Sequence, residues 1–167
     1  MKKIIVLMSV AVGIVIGVFF GMLSLKFSAP TTLYKEVQVN YSFEKTLDLV
    51  AGKINEKEGW SVVDVIDLQA ELLEFQPNMK KMSIIKFRNQ EYSAKMLHSD
   101  DSKVMAIQMP YSIAVYEKND GRVMLGFSNG YFMSRLFSGT LRGDIMQHVI
   151  KDMEDILGFI HHRNSSI

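Results

Sequence analysis

Met109-Pro110-Tyr111-Ser112-Ile113-Ala114-Val115-Tyr116-Glu117, followed by Lys118-Asn119-Asp120-Gly121-Arg122 and then Val123-Met124-Leu125-Gly126-Phe127, reads as a β-hairpin. From Ile107 the odd positions are Ile107, Met109, Tyr111, Ile113 and Val115, and in the second strand Val123, Leu125 and Phe127, so one face of the hairpin is apolar. The turn must keep these rows together. A two-residue loop at Asp120-Gly121 would set Glu117 against Met124 and Val115 against Gly126. A three-residue loop of Asn119, Asp120 and Gly121 sets Val115 against Leu125 and Ile113 against Phe127. That loop is a type I turn closed by a left-handed residue, which predicts positive φ at Gly121. Pro110 has no amide hydrogen to give to a ladder, so the first strand is at an edge there or starts after it.

Outward from the hairpin, strands and helices alternate. Leu33–Val39 alternates as a strand. Ser42 is a helix N-cap, and Phe43, Leu47, Val50 and Ile54 recur at helical spacing until Gly59 stops the helix. Trp60–Ile66, rich in β-branched residues, reads as a strand, and Met82–Phe87 as another. Leu68–Phe75 fits helix or strand, and Pro77-Asn78 ends it. Gln90–His98 reads as a short helix before the polar loop 99–102. Tyr131–Phe137 is predicted as a helix ended by Gly139. A last helix starts between Thr140 and Asp144 and carries Ile145, Val149, Met153, Ile156 and Ile160 on one face. The expected fold is α+β, an antiparallel sheet with helices packed on it, in one domain over residues 33–160 with a polar tail at 161–167.

Ahead of the domain, residues 4–25 carry no charge and would span roughly 33 Å as a helix, enough to cross a bilayer core. A secretory signal peptide is the competing reading. Cleavage after Ala29 would put Phe27 at −3 and Pro30 just beyond, and cleavage after Ser24 would put Met22 at −3, so the small-residue signal is poor. The run is read as an uncleaved transmembrane anchor, with residues 26–32, containing Ser28 and Pro30, as a linker. Lys2, Lys3 and the amino terminus precede the span and only Lys26 directly follows it. Residues 1–3 are therefore expected in the cytoplasm and the domain in the periplasm or outside, on the inner (cytoplasmic) membrane. Gly13, Gly17 and Gly21 share one face and permit close helix packing.

Without cysteine, the domain must be held by its core. Leaving out Lys2 and Lys3, 17 basic residues face 18 acidic ones, a balance that gives no field for nucleic acid.

The segment from about Tyr41 to Ile156 resembles the domain of unknown function 302 family. The resemblance rests on Ser42-Phe43-Glu44, Glu58-Gly59-Trp60, the Met109–Glu117 strand with Asn119-Asp120-Gly121, and Ser128-Asn129. It implies a compact α+β domain, often paired as a homodimer, and no established reaction. Some relatives resemble one another in carrying a cysteine directly after the Met-Pro pair and another before a Tyr-Ala pair. Here Tyr111 and Arg88 stand at those places, so any thiol chemistry of such relatives is absent.

Candidates for chemistry are few, and no catalytic residue can be singled out. His98 and His148 are far apart and His161-His162 lies in the tail, so no protein-only zinc site is expected. Haem held by a single axial ligand, His98 or His148, is the alternative. Twelve methionines could suggest copper(I), but Met105, Met109, Met124 and Met153 fall on predicted core rows. Glu117, at the end of the inward row, either borders a pocket floored by Tyr111 and Ile113 with Tyr116, Ser128 and Asn129 nearby, or is solvated beside Lys118. The functional expectation is a non-enzymatic accessory or small-ligand-binding module without a cofactor, partnered by the bilayer, with self-pairing or a membrane complex in addition. The alternative is a haem- or metal-binding redox protein.

Overall fold

The computed structural model describes residues 2–136 and 140–163. Two units emerge, Met1–Leu33 and Tyr34–Ile167. The first is one helix, α1 (Lys2–Leu33). Lys2–Met22 is long and apolar enough to cross a membrane, with mean hydropathy 2.8. Helix α1 also runs through residues 26–32, expected as a linker, because propagating an existing helix costs far less than nucleating one.

In the second unit five strands, β1 (Tyr34–Val39), β2 (Trp60–Asp67), β3 (Met82–Asn89), β4 (Tyr111–Glu117) and β5 (Val123–Ser128), form one sheet in the order β1-β5-β4-β3-β2. All neighbours are antiparallel. The fold is α+β, as expected. Val115 pairs with Leu125 and Ile113 with Phe127, the register of the three-residue loop. The Lys118 amide donates to the Arg122 carbonyl at 2.8 Å and the Gly121 amide to the Lys118 carbonyl at 2.9 Å, closing the turn with Gly121 at φ 84°.

Helix α2 (Phe43–Glu56) joins β1 to β2 and α4 (Gln90–Met96) lies between β3 and β4, whereas α5 (Gly130–Leu136) and α6 (Leu141–Leu157) follow β5. Ser42 caps α2 by accepting from the Lys45 amide, and Thr140 caps α6 by accepting from the Gly143 amide. The ambiguous Leu68–Phe75 segment contains a single helical turn and a half, α3 (Leu68–Leu72), capped by Asp67. Expected residues Phe137 and Gly139 lie outside the described residues, as do residues 164–167 of the tail, whose start belongs to a 3-10 helix, Gly158–Arg163.

The core lies on one face of the sheet. Ile85, Phe87, Ile113, Val115 and Leu125 meet Val50 and Ile54 of α2 and Ile145, Val149 and Ile156 of α6. Burying each such side chain contributes about 1.5–3 kcal/mol before chain entropy is counted.

Two expected core positions differ. Ile107 is 78% exposed, because residues Asp100–Gln108 form a 3-10 helix and the strand starts only after Pro110. Met124 is buried, yet strand alternation puts it on the face opposite the core, between Gln38 and Tyr116 in register. Met105 lies in the core, with Met109 and Met153 packed against it.

Candidate functional site

The residues singled out around the hairpin do not converge. Tyr111 and Glu117 occupy opposite ends of β4, six residues apart, which is roughly 20 Å at the rise of a strand. Ser128 ends β5 at the Tyr111 end, followed by Asn129. Tyr116 projects from the other face of the sheet, where its hydroxyl donates to the Glu36 carboxylate. Its ring occupies the space a Cβ on Gly126 would need, 3.3 Å away. Lys118 also binds Glu36, at 2.7 Å, and these two donors hold Glu36 below the usual carboxylate range. Burial first, then the Glu36 contact, pushes the Tyr116 hydroxyl up to about 12. Glu117 is half-buried, and its amide donates to the Lys81 carbonyl at 2.9 Å. Lys81 itself pairs with Glu44 at the start of α2.

A denser constellation stands at the other end of the sheet. Asp152 of α6 accepts through Oδ2 from the Trp60 indole N–H at 2.9 Å and from the Tyr92 hydroxyl at 3.1 Å. Its Oδ1 lies 3.2 Å from Lys57 Nζ, which also meets Asp155 at 2.6 Å. The Asp152 side chain is only 15% exposed. Burial pushes its carboxyl upward, but the Trp60, Lys57 and Tyr92 contacts outweigh this and leave it below the usual range. The Asp155 contact, helped by Asp152, raises Lys57. Around the carboxylate, the Trp60 ring contacts those of Phe87, Tyr92 and Tyr111 at centroid distances of 5.6, 6.0 and 5.8 Å.

Local sequence builds this cluster. Gly59 turns the chain with φ 78°, and a Cβ there would stand 2.8 Å from Asn89 Nδ2. Asn89 is buried opposite Trp60 and caps α4, its Oδ1 accepting from the Tyr92 amide at 3.0 Å. One asparagine thus fixes the helix that carries Tyr92, and one glycine admits that asparagine. Asp152 was not among the sequence candidates. Its signal was a lone acid on the inner flank of the last helix, beside Met153 and near Val149 in the apolar row.

The chemistry of this carboxylate is restricted. Both oxygens are engaged and its pKa is low, so it is a poor proton acceptor and serves to join α6, α4 and the α2–β2 junction. Tyr111 differs. Its hydroxyl is buried with no hydrogen-bond partner among the described residues, and burial pushes it up to about 12. His98 and His148 are both exposed. The His148 ring lies 6.2 Å from that of Tyr92, with Nδ1 2.9 Å from the Asp144 carbonyl. Among the described residues, no three His, Asp or Glu side chains gather as a metal-holding group.

A family model described as a domain of unknown function, DUF302, matches residues 35–160. The chain belongs to the DUF302 family. A crystal structure of an uncharacterised conserved DUF302 protein from Bacillus stearothermophilus is similar in fold, with TM-score 0.65 at 17% identity. The match covers 77% of this chain and 98% of that one. No curated protein matches this chain. Within this DUF302 domain, the motifs that carried the resemblance have structural roles. Ser42 caps α2, Gly59 and Trp60 build the carboxylate cluster, and Asn119-Asp120-Gly121 sets the hairpin register.

Proposed function

We propose that this DUF302 protein is a non-enzymatic accessory or small-ligand-binding module tethered to the inner membrane by α1, with its domain in the periplasm or outside the cell. The observation that carries the tether is the surface of α1. Its described apolar side chains between Ile4 and Met22 are 51–76% exposed, on every side of the helix, and lipid is the solvent that suits such a surface. Lys2 and Lys3 ahead of the span support an inward amino end.

The non-enzymatic part draws support from the carboxylate cluster, whose polar atoms are committed to one another. No observation favours the haem or metal reading over it, and the proposal assigns no resident cofactor. Gly13, Gly17 and Gly21 have open space around them and are assigned to helix packing within the bilayer. If a small ligand is held, the Tyr111 hydroxyl is the donor to be occupied, since it has the most to gain from a partner.

Alkaline carbonate extraction of membranes from expressing cells tests the tether. The full chain is expected to stay in the pellet, and release into the supernatant would overturn the proposal. Full-length protein titrated with haem is expected to show no Soret shift. A saturable shift abolished by His98→Ala or His148→Ala would instead establish the alternative.

A further inference from the structure

The carboxylate cluster also gathers the side chains from which a protein loses single electrons. The chain has no cysteine and one tryptophan, so Trp60 is its most readily ionised side chain. Two tyrosine rings touch it, Tyr92 edge-on with centroids 6.0 Å apart and Tyr111 at 5.8 Å. The two tyrosines stand at nearly the same distance, and proton acceptors tell them apart. An indole can lose an electron and keep its proton for a time. A phenol cannot, because its radical cation is a very strong acid, so it is oxidised only where its proton can leave at once.

The Tyr92 hydroxyl has such an acceptor, Asp152 Oδ2 at 3.1 Å, and the same oxygen accepts the Trp60 N–H at 2.9 Å. The Tyr111 hydroxyl is buried and has none among the described residues. Lys57, 3.2 Å from Oδ1, favours the ionised carboxylate and leaves Oδ2 to the two aromatic donors. Towards neutral donors this carboxylate, which lies below its usual range, takes no proton. Removing an electron from either ring reverses that order, since the oxidised ring is then the stronger acid.

We infer that Trp60, Asp152 and Tyr92 form a relay that carries a one-electron oxidising equivalent, delivered by a radical oxidant, from the core to the Tyr92 hydroxyl. In the first step the oxidant takes one electron from Trp60 and is reduced, and the indole proton passes to Asp152 Oδ2. In the second step Tyr92 supplies an electron to the indolyl radical, while Oδ2 returns its proton to the indole nitrogen and receives the phenolic one. Trp60 is restored and Tyr92 is left as a phenoxyl radical. The one proton lost overall passes to water from Asp152, whose side chain is 15% exposed. Tyr92 is half-buried, so a thiol in solution can give it a hydrogen atom, restoring the phenol and becoming a thiyl radical. The domain thereby disposes of radical oxidants without losing its only tryptophan. The relay lies inside the domain and does not depend on the tether.

The test uses the full chain in detergent. A laser flash at the long-wavelength edge of the indole band, where tyrosine scarcely absorbs, ionises Trp60, and a chloropentaamminecobalt(III) salt takes up the ejected electron. The indolyl absorbance is expected to decay in a first-order step, independent of protein concentration, with matching growth of phenoxyl absorbance. Tyr92→Phe should slow that decay at least about tenfold, and so should Asp152→Asn, whose amide still accepts a hydrogen bond but cannot take a proton. Tyr111→Phe should leave the decay unchanged. Heavy water should slow the wild-type step, which reads the proton half of the relay even if Asp152→Asn fails to fold. An indolyl radical as long-lived in wild type as in Tyr92→Phe, a wild-type rate in Asp152→Asn, transfer that needs Tyr111, or indifference to heavy water would overturn the inference.

Discussion

At the Trp60 end of the sheet, one carboxylate is enclosed by donors from three separate elements. At the hairpin end, Glu36, Lys118, Lys81 and Glu44 pair on a surface that water screens. Both ends carry charge, and only one converts it into stability. A partly buried ion pair with committed hydrogen bonds is costly to break from one side, whereas exposed pairs contribute little. The difference also separates what holds this domain together from what remains free to meet other molecules.

Breaking the enclosed end should have the largest effect. Asp152→Ala leaves the Trp60 N–H and the Tyr92 hydroxyl without their acceptor and Lys57 with Asp155 alone, and should cost about 2–4 kcal/mol. Trp60 is the sole tryptophan, so its fluorescence during chemical unfolding of the full chain in detergent reports on this cluster directly. An effect under about 0.5 kcal/mol would reduce the cluster to an ordinary surface contact. Because the folded carboxyl lies below its usual range, the ionised contact adds stability above about pH 4 and loses it as pH falls through the depressed value. The stability gap between wild type and Asp152→Asn should therefore be flat at neutral pH and narrow in acid. A gap that widened in acid would contradict the direction assigned to Asp152.

The two left-handed glycines sharpen the same contrast. Gly59→Ala meets both the positive φ and the Asn89 amide, and should cost about 2–3 kcal/mol. Gly121→Ala meets only the φ, with open space around it, and should cost about 1–2 kcal/mol. Equal losses in an unfolding titration would show that Asn89 yields easily.

Two tyrosines on the Trp60 ring give the next step down. Tyr92→Phe removes a bond to Asp152 and should cost about 1 kcal/mol, while Tyr111→Phe removes a buried hydroxyl that has no partner and should be neutral or stabilising by up to about 1 kcal/mol. A marked loss with Tyr111→Phe would mean that the hydroxyl is already satisfied. Smallest of all, Glu36→Gln at the hairpin should shift stability by no more than about 0.5 kcal/mol.

These contrasts follow how far apart in sequence the partners stand. The hairpin register was legible because parity and one glycine decide it within a few residues of the turn, and the caps at Ser42 and Thr140 because capping acts over three. The helix through residues 26–32 is not legible locally, because Ser28 and Pro30 read as a linker, whereas α1 is already propagating when it reaches them. Glu117 is the polar end of an apolar row, but the row says nothing about what lies beyond the strand. The Asp152 cluster joins residues 92 and 60 positions apart, and no local period encodes that meeting. What sequence could have offered was composition: an acid flanking an apolar helical row needs donors, and Trp60 and Tyr92 are donors with apolar bodies.

The tether and its orientation are the centre of the account, and one thiol tests both. Asn119→Cys places a unique, exposed cysteine on the hairpin turn of an otherwise cysteine-free chain. Cells with a permeabilised outer envelope and an intact inner membrane are treated with a membrane-impermeant maleimide. Labelling before lysis, with the protein recovered in the membrane pellet, is the predicted result; labelling only after lysis would place the domain on the cytoplasmic side and contradict the account.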